Sequence, residues 1–146
     1  MTRVVDGDTI HVEVRGFDDT VRLIGIDTPE TKKPRTPVQC GGPEASAQTE
    51  KLLPAGQAVR LVTDPTQDTR DLLAYVYKPG RSGATGSTHY SLVSGGFAKV
   101  YAYQGVPFRY APQFLRAQAS ANKAKRGIWG APCHGDTTKP EPGRTY

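Results

Sequence analysis

Between Thr9 and Val14 the chain reads Thr-Ile-His-Val-Glu-Val, and after Gly16-Phe17-Asp18-Asp19 it resumes as Thr-Val-Arg-Leu-Ile-Gly-Ile over residues 20–26. Alternation of apolar and polar side chains is the period of an extended strand, whose successive residues point to opposite faces. Two such runs around a glycine-bearing turn predict a β-hairpin. Thr28-Pro29 ends it, because the residue before a proline avoids helical geometry.

The rest of the chain is cut into short pieces by 16 glycines and 12 prolines among 146 residues. Further strands are predicted over 58–63, 72–77 and 97–103. Pro43-Glu44 opens a helix running to about Leu53, with proline and an acid where a first turn favours them. Its expected apolar side is Ala45, Ala47, Leu52 and Leu53. A short helix is predicted over 90–95. A longer one is predicted over 111–125, where Phe114, Ala117, Ala121 and Ala124 share one side and Gly127 follows as a cap. No internal repeat is visible. Five short strands with helices between and after them predict an α+β chain built on a small five-stranded OB-type barrel with three helices. Residues 1–132 are expected to form one domain, followed by a polar, Pro-rich tail over 133–146.

The net charge of +5 and a pI near 9.3 favour an anionic partner, nucleic acid before a membrane surface, although solubility alone accounts for such a balance about equally well. No apolar run has the length of a membrane span. The first strand begins almost at Met1 with no leader peptide ahead of it, so a processed leader or a shortened start is expected. Cys40 sits in a polar, Gly-rich stretch and Cys133 follows Trp129-Gly130-Ala131-Pro132. Neither context reads as a core, so a disulfide is favoured over two free thiols, and with it a secreted protein over a cytoplasmic one. Such a bridge would close a loop of roughly 90 residues and stabilise by about 4 kcal/mol in the chain-entropy picture.

The chemistry-bearing residues gather in two stretches, Asp6-Gly7-Asp8 and Arg22-Leu23-Ile24-Gly25-Ile26-Asp27-Thr28-Pro29-Glu30-Thr31. On an extended chain Asp6 and Asp8 would project from one face, and Asp27 meeting them would make three converging carboxylates. Like charges packed together drive each pKa upward unless a cation neutralises them. An all-oxygen set suits a hard ion, calcium or magnesium, rather than zinc. The acidic ladder of an EF-hand is missing. Arg22, a guanidinium on an apolar strand, needs an anionic partner and is suited to grip a phosphoryl group bidentately.

These stretches resemble the staphylococcal-type nuclease (thermonuclease) family. The match runs through Val5-Asp6-Gly7-Asp8-Thr9, the segment from Arg22 to Thr31, Gly42-Pro43-Glu44-Ala45-Ser46, Leu73-Ala74-Tyr75-Val76-Tyr77, Ala98-Lys99-Val100 and Gly127-Ile128-Trp129. Six blocks in order cover most of residues 4–130. The resemblance implies an OB barrel with three helices and calcium-dependent cleavage of DNA and RNA. It implies that Asp8 and Asp27 hold the calcium ion with the Thr28 backbone carbonyl, while Asp6 supports them. Glu30 then positions or deprotonates the attacking water, and Arg22 grips the target phosphate. Lys32 and Lys33 match a basic loop beside the site. Tyr101 and Tyr103 fall near two family tyrosines that contact a nucleotide.

One block departs from the pattern. The family carries a Tyr-Gly-Arg segment, with a second catalytic arginine, just before Leu-Ala-Tyr. This chain reads Asp68-Thr69-Arg70-Asp71-Leu72-Leu73-Ala74-Tyr75. A true deletion, a substitute role for Arg70, or residues missing between Asp71 and Leu72 would each account for it, and the last is preferred. The arginine's role is not carried to Arg70. The expected function is a calcium-dependent phosphodiesterase, monomeric, acting on single- and double-stranded DNA and RNA with low sequence specificity and leaving 3′-phosphate products. The alternatives are a catalytically impaired OB-fold module that binds nucleic acid, and a secreted interaction domain.

Overall fold

The computed structural model describes residues 1–29, 31, 38–67, 72–102 and 105–138. Seven strands are defined there: β1 (Arg3–Asp6), β2 (Thr9–Val14), β3 (Phe17–Leu23), β4 (Ile26–Asp27), β5 (Arg60–Val62), β6 (Leu73–Tyr77) and β7 (Lys99–Val100). The helices are α1 (Gly42–Leu52), a single turn α2 (Gly83–Gly86), α3 (Thr88–Ser94) and α4 (Ala111–Lys123), followed by a 3₁₀ turn over Gly127–Trp129. The α+β class and the five-stranded OB-type sheet expected from the sequence are both present, in the order β1-β2-β3-β6-β5, with β4 and β7 as a separate pair. β3 and β6 run parallel and the other neighbours antiparallel. No hydrogen-bonded ladder joins the edge strands among the described residues. The Gly56 amide does donate to the Met1 carbonyl at 2.8 Å, which draws the approaches to β1 and β5 together.

The β2–β3 hairpin turns on Arg15 and Gly16, both left-handed at φ 52 and 82. A two-residue turn of that hand matches the twist of the strands it joins. The expected strand over 20–26 is broken in two. Gly25, at φ +82, reverses the chain so that Ile26 and Asp27 pair with Val100 and Lys99 instead. A Cβ at Gly25 would also lie 2.6 Å from the Phe108 ring. The expected strand over 97–103 shrinks to Lys99–Val100, because the amides of Phe97 and Ala98 are spent on the Leu92 carbonyl at the end of α3. The last turn of α4 closes with Arg126 N–H on the Ala121 carbonyl at 3.0 Å, around Lys125 at φ 57. The left-handed residue that closes α4 is therefore Lys125, while Gly127, itself at φ 51, opens the 3₁₀ turn.

The core is continuous across the sheet and its helices. Ile10, Val12, Val21, Leu23, Ile24 and Ile26 interlock with Tyr75, Val76, Leu92 and Phe114, each at most 2% exposed. Residues so enclosed typically cost about 2–5 kcal/mol when cut back to alanine. α1 buries Gly42, Ala45 and Thr49, while the Ala47 expected on that side is exposed. The Thr49 hydroxyl donates to the Gly7 carbonyl at 2.8 Å, which fastens α1 to the Asp6-Gly7-Asp8 turn. His89 is fully buried. Its Nδ1 lies 2.7 Å from the Ile24 carbonyl and its Nε2 accepts the Val76 N–H at 3.1 Å. Burial pushes its pKa down to about 4, so the ring is neutral at pH 7 and ties β6 to the end of β3.

Candidate active site

Three elements meet at the open end of the hairpin. Asp8 closes the turn before β2, Arg22 lies in β3 opposite Thr9, and Asp27 ends β4. Asp8 is 5% exposed and well partnered. Its Oδ1 accepts the Thr9 hydroxyl at 3.0 Å and its Oδ2 accepts the Thr28 N–H at 3.2 Å. The Arg22 guanidinium reaches toward both acids, 3.4 Å from Asp8 Oδ2 and 3.6 Å from Asp27 Oδ1. These are ion contacts longer than a short charge-assisted hydrogen bond, so the guanidinium leans on the acids without being locked to them. A third of the Arg22 side chain stays open to solvent, which leaves it free to meet an incoming phosphate.

Asp27 is the strained member. Desolvation, then the charge of Asp8, raise its pKa to about 6, against the pull of Arg22. Two carboxylates that repel one another beside one guanidinium are the state a divalent cation relieves. Beside them the Thr28 hydroxyl is buried without a hydrogen-bond partner. It is held there by Gly7, where a Cβ would lie 2.8 Å from the Thr28 side chain. Carboxylate and hydroxyl oxygens with no nitrogen or sulfur fit a hard ion such as calcium.

Asp6 does not join this pair. Residues 7 and 8 form a tight turn rather than extended chain, so the expectation that Asp6 and Asp8 share a face is corrected. Asp6 Oδ1 instead accepts from the Thr31 hydroxyl at 2.7 Å, the Gly7 N–H at 3.1 Å and the Ser46 hydroxyl at 3.2 Å. Among the described residues no three His, Cys, Asp or Glu side chains gather as a metal group, so the expected triad is a pair. Asp6 acts as a buried hub that ties Thr31 and α1 to the turn. The sequence reading gave Thr31 and Ser46 no role. Both stand in motif blocks, but nothing in their spacing marks them as donors to Asp6.

Tyr101 is brought to the site, with its ring 6.0 Å from the Arg22 guanidinium carbon and 42% exposed. The sulfurs of Cys40 and Cys133 are joined in a disulfide beside Ile128 and Trp129. The chain beyond residue 132 turns back here, with the His134 N–H on the Gly130 carbonyl and the Gly135 N–H on Ile128. Glu30, Lys32, Lys33, Tyr103, Arg70 and Asp71 lie outside the described residues.

Residues 20–131 match the staphylococcal nuclease homologue family. The chain belongs to that family. Members similar to it include the SPbeta prophage-derived endonuclease YokF of Bacillus subtilis (strain 168), 41% identical over 88% of this chain and 43% of its own length. The thermonuclease of Staphylococcus hyicus is 40% identical over 87% of this chain and 72% of its own length. Endonuclease YncB of Bacillus subtilis (strain 168) is 40% identical over 88% of this chain and 60% of its own length. The chain thus spans between about two fifths and three quarters of these relatives. The sequence-level resemblance and the family match agree.

Proposed function

We propose that this chain is a calcium-dependent phosphodiesterase that hydrolyses DNA and RNA with low sequence specificity and leaves 3′-phosphate products. The observation that carries the reading is the convergence of Asp8 and Asp27 on the partly exposed Arg22 guanidinium. Asp8, Asp27 and the Thr28 carbonyl would hold the ion. When bound, calcium neutralises phosphate charge and polarises the phosphoryl oxygen. Arg22 binds the phosphoryl oxygens and steadies the negative charge that builds on them during attack. Glu30 accepts the proton of the attacking water, and Lys32, Lys33, Tyr101 and Tyr103 contact the substrate. The named contacts address phosphate and sugar rather than base edges, so little sequence preference follows. The disulfide favours a secreted, oxidising setting. No helix among the described residues is long and apolar enough to cross a membrane.

Digestion of single-stranded DNA with calcium and with chelator tests the reading: loss of cleavage in chelator is expected, and equal rates would remove the metal. Glu30→Gln is expected to lose most turnover with the fold kept. A second reading, a module that binds nucleic acid but cleaves poorly, is favoured by the direct Asp71-Leu72 junction in place of a Tyr-Gly-Arg segment. Losing one such transition-state arginine costs about 10³–10⁵ in rate. Binding without turnover in saturating calcium would select that reading.

A further inference from the structure

Beyond the C-terminal end of β6 the chain makes a loop and the single turn α2 before α3, and this excursion encloses a polar cavity of about 150 Å³. It is lined by Lys78, Arg81, Thr85, Thr88 and Ser91, with Leu52 of α1 beside them. Among the described residues none of these five polar side chains has a hydrogen-bond or ion-pair partner, and no acidic residue lines the cavity. A third cation stands beside it. Arg60 stacks on the Tyr77 ring at 4.7 Å and donates to the Arg81 carbonyl at 2.8 Å. Donors without a protein partner and positive charge on one concave surface are complementary to a tetrahedral oxyanion.

We propose that this cavity is a second phosphate-binding site, which holds a backbone phosphate of the nucleic-acid substrate away from the point of cleavage. The inference rests on the nuclease reading for its choice of ligand. β6 supplies the distance. Its first residue, Leu73, pairs with Arg22 of the candidate active site, and Lys78 follows Tyr77 at the other end. Five residues of strand at ~3.3 Å each separate the two by about 17 Å. A nucleic-acid strand must run several nucleotides to span that distance. A dinucleotide bound at Arg22 falls short of the cavity, whereas a long oligonucleotide reaches it. Thr85 and Arg81 are exposed, and Thr88 and Ser91 lie deeper, so a phosphate would enter from the solvent side.

The test measures binding without cleavage, by fluorescence anisotropy of a labelled 24-nucleotide single strand and a dinucleotide in chelator, over a range of salt. For Lys78→Gln/Arg81→Gln the 24-mer is expected to bind roughly tenfold more weakly at low salt. The slope of log affinity against log salt should fall by about 0.7, as for one lost phosphate contact on a single strand. Dinucleotide affinity should not change. Thr85→Glu, a change at an exposed position, should weaken 24-mer binding in the same direction. Inorganic phosphate is the second probe, read by its shift of the melting temperature of wild type and double variant. Equal 24-mer affinity and equal salt slope in wild type and both variants would overturn the proposal. So would protection by inorganic phosphate, lost in the double variant, with no change in oligonucleotide binding, since that result marks a free-phosphate site. Calcium-dependent cleavage by the same wild-type preparation is scored separately, so failure of the nuclease reading and failure of the second site give different results.

Discussion

Asp27 and Asp64 are carboxylates of one small fold with opposite fates. Asp64 is 4% exposed and fully partnered. It accepts the Tyr75 hydroxyl at 2.7 Å, the Arg109 N–H at 2.8 Å, and the Thr66 hydroxyl and N–H at 2.7 and 3.0 Å. Burial alone would raise its pKa, but these donors outweigh burial and hold it below the usual value. Asp27 is more open, yet its pKa climbs to about 6 because desolvation and Asp8 act on it with only Arg22 in opposition. A carboxylate answered by fixed neutral donors is structural. One set against another carboxylate keeps a raised pKa. Degree of burial would have ranked the two the other way round.

The comparison breaks most visibly at Arg22. Arg22→Gln is expected to lower turnover by about 10³–10⁵ while the melting temperature moves little; a loss under tenfold would return Arg22 to an ordinary strand position. Asp64→Ala sharpens the contrast from the other side. It strands four donor groups, the buried Tyr75 hydroxyl among them, and is expected to cost about 3 kcal/mol of stability, read from urea unfolding, with activity per folded molecule kept. Calcium titration against pH is the third measure. Ion binding at Asp27 must displace its proton below pH 6, so affinity should drop about tenfold per pH unit from there down, and stay level above. The smallest effect is Tyr75→Phe, which removes one donor from Asp64 and should cost about 1 kcal/mol.

Stability against pH adds a signed test. The raised pKa of Asp27 means that the metal-free fold binds a proton the unfolded chain does not between about 6 and 3.8, so this group adds stability as pH falls and loses it as pH rises through 6. His89 is depressed from 6.5 to about 4, so the unfolded chain takes up its proton first, and this group removes stability as pH falls through that window. The two oppose each other between pH 6 and 4. In Asp27→Asn the acid loss from His89 should stand unopposed, giving a steeper fall in urea midpoint between pH 6 and 4 than in the wild type.

Periodicity made β2, α1 and α4 legible, because each buries one face against the core, whereas β6 was legible as a short continuous apolar run, buried at all five positions. A strand start is legible close to Met1 but the bounds of β1 are not, since four residues with charged ends are too short for alternation to register. The break at Gly25 was hidden because the residues on either side of it are apolar and would suit one continuous strand. At the candidate site, Asp8, Asp27 and Arg22 stand out in the sequence by residue type, and the fold brings the three together. Asp64 was not, because Thr63-Asp64-Pro65-Thr66 reads as a solvent turn, and its burial depends on Arg109 arriving from 45 residues away. No motif marks Lys78, Arg81 and Thr88, since only the folded chain shows that they line one cavity.

The Cys40–Cys133 bridge spans 93 residues and encloses α1, β5, β6, β7 and α4. A protease that cuts once inside that circuit produces two pieces that cannot drift apart. Such a nicked molecule should run as a single band on a denaturing gel and split only when reductant is added, and while the halves stay joined the barrel can close again around its cut.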